Sequence, residues 1–132
     1  MKILEILTAK RELGTFGERA AEKYYRRHGY RTLARNFVGG GNEIDLVMAD
    51  KNTVAFVEVK TRTVGHEHPN EPRPASAVTK EKQKAILSCA KWFPMSKTEG
   101  KRLRFDVVEV YVTDGKRRKA VRIVPMENAF HA

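Results

Sequence analysis

Cysteine is almost absent from this chain, because Cys89 is the single cysteine among 132 residues. An internal disulfide is therefore excluded, which fits a reducing cytoplasm. Long apolar runs are also missing, and none approaches the roughly 18 residues of a membrane-spanning helix. The N-terminal segment carries Glu5 and Glu12 and has no small-residue cleavage site of the kind found in signal peptides. We therefore expect a cytoplasmic protein without a membrane partner.

Negative charge is scarce relative to positive charge, with 16 Asp and Glu residues against 26 Lys and Arg residues and a net charge of +10. Such a chain favours a polyanion, because neutralising phosphates releases counterions. An acidic membrane surface is disfavoured, since no basic amphipathic helix with a bulky apolar face is present. Charge alone therefore leaves two interpretations, a nucleic-acid partner or a charge that serves solubility. One turn, which is either solvated or contacts phosphates, carries four adjacent basic residues: Lys116, Arg117, Arg118 and Lys119.

Hydrophobic periodicity predicts the order helix, three strands, helix, two strands. The predicted helices cover 13–28 and 80–93, and the predicted strands cover 30–37, 43–49, 53–62, 102–113 and 120–125. Thr79 is the expected N-cap of the second helix, and Cys89 is interpreted as buried packing within it. This order indicates an α/β fold with a mixed central sheet of about five strands flanked by helices. We expect a single domain over 13–132, preceded by an extension over 1–12 that is helical or partly ordered.

The segment "NEIDLVMADKNTVAFVEVKTR", which runs from Asn42 to Arg62, places charged residues inside a core-like hairpin. Side chains alternate along a strand, so Glu43 and Asp45 share one face, and Glu58, Lys60 and Arg62 share one face of the next strand. The other face of the hairpin is predicted to be buried by four residues: Ile44, Leu46, Val57 and Val59.

A turn centred on Lys51 and Asn52 sets the register of this hairpin, placing Asp45 opposite Glu58 and Glu43 opposite Lys60. Directly opposed Cβ atoms lie ~5 Å apart, so two carboxylates there would repel each other. A divalent cation such as Mg²⁺, which prefers oxygen ligands, would offset that repulsion. The alternative is a solvated sheet face with cross-strand ion pairs, for instance Glu43 with Lys60.

Four other polar or aromatic residues are interpreted without a catalytic role. His66 and His68 lie in a proline-containing loop without cysteine partners, so we interpret them as surface residues rather than zinc ligands. Asp106 could cap the site or pair with an arginine, and we favour the structural role. Trp92 is expected to serve in packing or in a dimer contact.

The arrangement of an acid on one strand and Glu-x-Lys on the next, "NEIDL…FVEVKTR", resembles the PD-(D/E)xK nuclease core. Five blocks in the same order, between about residues 14 and 110, resemble the YraN family of small bacterial proteins: "GTFGERAAEKYYRRHGYRTLARN", "EIDLV", "FVEVKTR", "AVTKEKQKA" and "RFDVVEV". That family is similar in turn to archaeal Holliday-junction resolvases. The resemblance implies a restriction-endonuclease-like fold.

The resemblance also implies roles for particular residues. Asp45 and Glu58, with the backbone carbonyl of Val59, would hold Mg²⁺ or Mn²⁺, and Lys60 would orient the attacking water or stabilise the phosphate. An additional acid, Glu18, and a residue of the second helix, Gln83, would complete the catalytic set. Three further residues would support it: Glu43, Arg62 and Lys82.

The activity implied is a metal-dependent DNA endonuclease, with branched or flapped DNA as the substrate that the resolvases suggest. A homodimer would fit the symmetric arms of a junction. The alternative is a nucleic-acid-binding module that cleaves weakly or not at all. The chain departs from the family pattern at Asn42, which occupies a glycine position, and at Ser76, which replaces an acid. Asn tolerates a positive φ better than most residues, so the turn is expected to survive.

Overall fold

The computed structural model describes residues 2–65, 78–115 and 117–131. Within these ranges, two helices, a short 3₁₀ turn and five strands follow one another: α1 (Ile3–Arg27), β1 (Arg31–Gly39), β2 (Asn42–Ala49), β3 (Thr53–Thr63), α2 (Lys80–Ala90), the 3₁₀ turn (Met95–Lys97), β4 (Arg102–Val112) and β5 (Ala120–Phe130). Four residues that the sequence singles out, His66, His68, Ser76 and Lys116, lie outside the described residues.

The five strands form one sheet in the order β1-β2-β3-β4-β5. Strands β3 and β4 are parallel, and the other three neighbouring pairs are antiparallel. A parallel pair requires a crossover connection, and α2 lies in the connection between β3 and β4. The predicted α/β fold with a mixed five-stranded sheet is thus confirmed, and it is compatible with a single-domain restriction-endonuclease-like fold.

Each helix covers one face of the sheet. On the α1 face, Ala21 and Tyr25 pack with Leu46, Val57 and other sheet residues. On the α2 face, a second cluster includes three α2-side residues that are buried: Ile86, Cys89 and Phe93. Burial on both faces explains why the central strands are almost continuously apolar. Cys89 is a fully buried packing residue, as predicted.

Three helix or strand ends differ from those predicted by hydrophobic periodicity. Helix α1 begins at Ile3 rather than at residue 13, and its first turns are exposed. Helix α2 ends at Ala90 rather than at residue 93, while its predicted cap is confirmed by the Thr79 hydroxyl, which accepts a hydrogen bond from the Lys82 N–H at 3.1 Å. Strand β5 runs on to Phe130 rather than ending at residue 125. No helix in the described part of the chain is long and apolar enough to cross a membrane.

The predicted placement of Ile44 beside Leu46 is wrong. Ile44 packs in the cluster on the α2 face, whereas Leu46 packs against α1 on the other face. The reversal coincides with an irregularity in the neighbouring strand, where Asn36 adopts a positive φ of 48° between the paired residues Arg35 and Phe37. Strict alternation therefore fails at Asn36 and at Asp45, the residue between Ile44 and Leu46.

Helix α1 approaches β3 closely because Gly17 has no side chain. A Cβ atom built at Gly17 would lie 1.8 Å from the Thr61 Oγ1 atom and 2.9 Å from the Thr61 Cβ atom. Real atoms do not approach so closely, so the contact requires glycine. This approach holds Glu18, the next residue, near the end of β3.

Two residues with predicted structural roles, Asp106 and Trp92, make specific contacts. Asp106 is fully buried and pairs with the guanidinium of Arg104 at 2.8 Å, while the Tyr25 hydroxyl donates to its carboxylate at 2.6 Å. Its predicted structural role is confirmed. Trp92 packs over the β1–β2 turn, where Cβ atoms built at Gly39 and Gly40 would meet its side chain at 2.7 and 2.6 Å. The indole is otherwise open to solvent, with 66% of the residue exposed.

Candidate active site

The β2–β3 turn sets the register that sequence predicts. The Asp50 carboxylate accepts hydrogen bonds from the N–H groups of Asn52 (2.9 Å) and Thr53 (2.8 Å), which closes a two-residue loop. The strands then pair in four steps, from Ala49 with Val54 to Leu46 with Val57. Asp45 and Glu58 are the next residues beyond that last pair.

The two strands stop pairing at this point. Beyond Leu46 and Val57, β3 continues beside β4 alone, and the predicted pairs of Asp45 with Glu58 and Glu43 with Lys60 are not part of the ladder. The Asp45 carboxylate instead accepts a hydrogen bond from the Val59 N–H at 2.8 Å. The Asp45 side chain thus takes the place of a β2 backbone carbonyl as the acceptor for β3. The two strands separate at this point, where Asp45 and Glu58 lie.

Glu58 is the most constrained acid of this opening. The residue is 7% exposed, and its Oε2 atom is buried without a hydrogen-bond partner in the described part of the chain. Its Oε1 atom lies 3.9 Å from the Lys82 Nζ atom. Burial, followed by the charge of Asp45, raises the pKa of Glu58 to about 7, against smaller opposing effects of Lys82 and Lys60.

Asp45 shares this environment. Burial raises the pKa of the Asp45 carboxyl, and the Val59 N–H and the charge of Lys82 partly offset the increase. Asp45 and Glu58 therefore titrate as a pair in which each charge disfavours the other. A pair of acids with raised pKa values, of which Glu58 is buried and Asp45 half-buried, is typical of functional sites, although structural pairs also occur.

Helix α1 adds a third acid to the same electrostatic field. The Glu18 carboxylate accepts a hydrogen bond from the Asn36 side-chain amide at 3.0 Å. Burial raises its pKa against that hydrogen bond, and the charges of Asp45 and Glu43 raise it further. The charges of Glu18, Glu43, Asp45 and Glu58 therefore act on one another, with Lys60 and Lys82 as the opposing charges. We call this region, where β2 and β3 separate, the acidic opening.

Other predicted site residues are engaged elsewhere. The Gln83 side-chain amide donates to the Val78 carbonyl at 3.0 Å, just before α2 begins. Arg62 lies further along β3 and pairs with the Glu109 carboxylate at 3.1 Å. In the basic turn, Arg117 and Arg118 line a cavity beside α1.

Asn36 is the residue that sequence reasoning missed. Its positive φ reverses the alternation of β1, and its side chain holds Glu18. Asn is one of the few residues that tolerates this backbone conformation, so "ARNF" carried a weak signal. That signal could not have named Glu18 as its partner.

The donor chemistry of this opening suits a hard divalent cation. The charge of Asp45 acts on Glu58, and the Glu58 Oε2 atom, which has no hydrogen-bond partner among the described residues, is a ready oxygen ligand. Mg²⁺ binds through one or two carboxylates and keeps several waters. Residues 2–65, 78–115 and 117–131 contain no group of three or more His, Cys, Asp or Glu side chains that could hold a metal ion. The side chains present would therefore supply only part of the coordination shell.

Comparison with known proteins gives the family. A model described as "Uncharacterised protein family UPF0102" matches residues 17–110. The chain belongs to this family. UPF0102 is the YraN family that the five sequence blocks resemble, so that prediction is confirmed. The matched range contains the acidic opening and excludes the basic turn that follows β4.

Relatives in UPF0102 match over most of their length. A UPF0102 protein of Geobacter metallireducens is 44% identical over 101 residues, which cover 76% of this chain and 80% of that protein. One from Desulfosudis oleivorans is 38% identical over 128 residues, 96% of each chain. One from Chloroherpeton thalassium is 42% identical over 105 residues, 79% of this chain and 78% of that protein.

Proposed function

We propose that this chain is a metal-dependent endonuclease that hydrolyses phosphodiester bonds in DNA. One observation carries the proposal: the buried Glu58 carboxylate, one oxygen of which has no partner among the described residues, lies beside Asp45 where β2 and β3 part. Such an arrangement costs stability unless a ligand relieves it. The resemblance to PD-(D/E)xK nucleases assigns these same residues to the metal.

Each residue of the opening has a role in this proposal. Asp45 and Glu58, together with the Val59 carbonyl, would hold Mg²⁺ or Mn²⁺. The bound cation would polarise the phosphate and lower the pKa of a coordinated water. Lys60 and Lys82 place ammonium groups beside the acids, where they would neutralise charge that develops on the phosphate.

Glu18 and Asn36 form the α1 side of the same opening. Their hydrogen bond fixes the carboxylate, so Glu18 would position a water molecule rather than swing freely. The supporting charge of Glu43 adds to the negative potential that attracts a cation. Gln83 and Arg62 would act indirectly, since the first is bound to the α2 entry and the second to Glu109.

The partner in this proposal is DNA. The net charge of +10 favours a polyanion, and contacts with phosphates would position the strand without reading bases. Branched or flapped DNA, and a homodimer to bind it, follow from the similarity of the family to junction resolvases.

Cleavage of labelled linear, flapped and four-way DNA with Mg²⁺ or Mn²⁺ tests this function. The wild type and Glu99→Gln, which removes an exposed carboxylate, should cleave. Glu58→Gln and Lys60→Ala should lose activity by roughly 100-fold or more. Equal activity of Glu58→Gln and Glu99→Gln would refute the assignment of the site.

A binding module without efficient cleavage is the second candidate function. The strong positive charge favours it, because phosphate binding needs no metal ion. In that case the wild type would bind every DNA in a salt-dependent way and cleave none, and Glu58→Gln would bind at least as tightly as the wild type.

A further inference from the structure

An open cavity of about 670 Å³ lies between the first half of α1 and the turn that links β4 to β5. Four of the residues that line it are arginines: Arg11, Arg19, Arg117 and Arg118. Among the described residues that line it, Phe16 contributes apolar surface and Glu12 is the one carboxylate. Two segments that are distant in sequence therefore place four positive charges around one space.

The charges of these arginines are not offset by ion pairs within the described part of the chain. In the described ranges, which end at 65, resume at 78 and omit 116, none of the four forms an ion pair. Four guanidinium groups around one cavity repel one another, and a single carboxylate offsets only one of them. An anion bound between them would relieve that repulsion.

Arg118 supplies the most specific observation. Its Nε atom is buried and finds no hydrogen-bond partner among the described residues. The guanidinium lies 5.9 Å from the centroid of the Phe16 ring, so an aromatic face holds it in place. A shielded N–H donor without an acceptor is costly, and a phosphate oxygen is the acceptor that a guanidinium binds best.

The cavity adjoins the acidic opening. A smaller cavity of about 110 Å³ shares Thr15 and Arg19 with it and is lined by Glu18 and Asn36 on its other side. Helix α1 thus presents Glu18 towards the acids and Arg19 towards the arginines. A strand that has one phosphate at the acids can continue along α1 to the arginine cavity.

We propose that the arginine cavity binds a phosphate group of the nucleic-acid strand whose neighbouring segment lies at the acidic opening. This inference rests on nucleic acid being the partner, as under the proposed function, but not on cleavage. The cavity has room for a whole nucleotide, since ligand sites of roughly 300–1,000 Å³ hold small molecules. Arg11, Arg117 and Arg118 lie outside the residues matched by the family model.

Binding of a labelled single-stranded oligonucleotide, measured with EDTA present to prevent cleavage, tests the proposal. Arg118→Gln should weaken binding by about tenfold, since hydrogen bonds between charged groups contribute that much. It should also reduce the salt slope by about 0.7, the value for one phosphate contact with a single strand. The matched control is Arg102→Gln, which removes an equal charge from an exposed residue at the other end of β4 and should change affinity less than about twofold.

The Arg118→Lys variant tests whether binding depends on the guanidinium donors of Arg118 or only on its positive charge. Lysine keeps the charge but has no donor at the Nε position, so we expect a loss of about threefold. Full affinity in Arg118→Lys, or equal losses in Arg118→Gln and Arg102→Gln, overturns the proposal. Far-ultraviolet circular dichroism of each variant checks that the fold is retained.

The source of the phosphate is distinguished by NMR of the arginine Nε–H signals. The Arg118 signal, assigned by its loss in Arg118→Lys, should shift with the oligonucleotide and with adenosine monophosphate, but not with adenosine. A shift with inorganic phosphate or the monophosphate but not with the oligonucleotide would mean a free-anion site and overturn the strand assignment. If the chain binds the oligonucleotide in this way but never cleaves DNA, the proposed nuclease activity is wrong and the phosphate site stands.

Discussion

The carboxylate of Asp45 accepts a hydrogen bond from the backbone N–H of Val59, at 2.8 Å, where β2 and β3 separate. This one contact does two things. It satisfies a backbone donor that the broken ladder would leave unpaired, and it fixes the acid beside the buried Glu58. The pairing of the Val59 N–H and the proposed metal binding therefore both depend on the Asp45 side chain. Substitutions of Asp45 can distinguish these two roles.

Asp45→Asn and Asp45→Ala should have opposite effects on the metal-free protein. Asparagine keeps an oxygen that can accept from the Val59 N–H and removes one of two neighbouring charges, so the free energy of unfolding at pH 8 should rise. Alanine leaves the donor without a partner, which costs about 1–3 kcal/mol. Urea denaturation with EDTA measures both. If the two variants are equally destabilised, the hydrogen bond is not what the Asp45 carboxylate contributes.

The stability of the metal-free protein should depend on Glu58 between about pH 4.5 and pH 7. The folded pKa is raised from 4.5 to about 7, so in this window the folded state keeps a proton that the unfolded state loses. Unfolding therefore becomes easier as pH rises, by up to about 3 kcal/mol, and the contribution is constant above pH 7. The raised pKa of Asp45 acts in the same direction.

Glu58→Gln isolates this effect, because glutamine resembles the protonated acid at every pH. The variant should match the wild type near pH 4.5 and exceed its free energy of unfolding by about 2–3 kcal/mol at pH 8. Glu99→Gln, at an exposed residue, serves as the control. A difference between wild type and Glu58→Gln that does not change with pH would show that Glu58 is not held in an unfavourable charged state.

Divalent cations should relieve the same repulsion. Binding to the folded state alone stabilises it by about 2.7 kcal/mol at a hundredfold excess over Kd. A site with few carboxylates seldom reaches such saturation, so we expect Mn²⁺ at millimolar concentration to raise Tm by only a few degrees. Asp45→Asn should abolish this shift. Lys60→Ala should keep it, because the role proposed for Lys60 concerns the phosphate and the water.

Thermal melts of these three proteins with and without Mn²⁺ provide the measurement, and Ca²⁺ tests whether the response is general to divalent cations. An unchanged Tm in the wild type at millimolar Mn²⁺, together with an Asp45→Asn variant less stable than the wild type, would make these acids structural. The binding module would then replace the nuclease as the proposed function.

Local chemistry in the sequence predicts much of the hairpin and little of its surroundings. The turn at Lys51 and Asn52 sets the register, because Asp50 caps it and the pairing propagates from there. The failure at Ile44 coincides with a non-local irregularity, a left-handed residue in the neighbouring strand. Alternation within one strand contains no information about such an irregularity.

The acids on the strands were predictable, but the contribution of α1 was not. Glu18 lies about 130° from the centre of the apolar stripe of α1, at roughly 100° per residue, which is typical of a boundary residue. It reaches the site because Gly17 lets the helix approach β3 and because Asn36 binds its carboxylate. Both conditions are tertiary, so only the family resemblance pointed to Glu18.

Gly17→Ala should therefore reduce both stability and the integrity of the site. The new Cβ atom would lie 1.8 Å from the Thr61 Oγ1 atom, and overpacking of this kind costs about 1–3 kcal/mol. Because Thr61 Cβ is only 2.9 Å away, rotating the Thr61 hydroxyl cannot remove the clash, and α1 must move away from β3.

Gly14→Ala is the matched control in the same helix, where no atom lies within 4 Å of the new Cβ. It should stabilise the protein by about 0.5–1 kcal/mol through helix propensity. Urea denaturation measures both changes, and Gly17→Ala with Thr61→Ala should recover part of the loss, because the double variant removes the closest atom. If Gly17→Ala and Gly14→Ala change stability alike, close approach of α1 to β3 does not place Glu18 at the acidic opening.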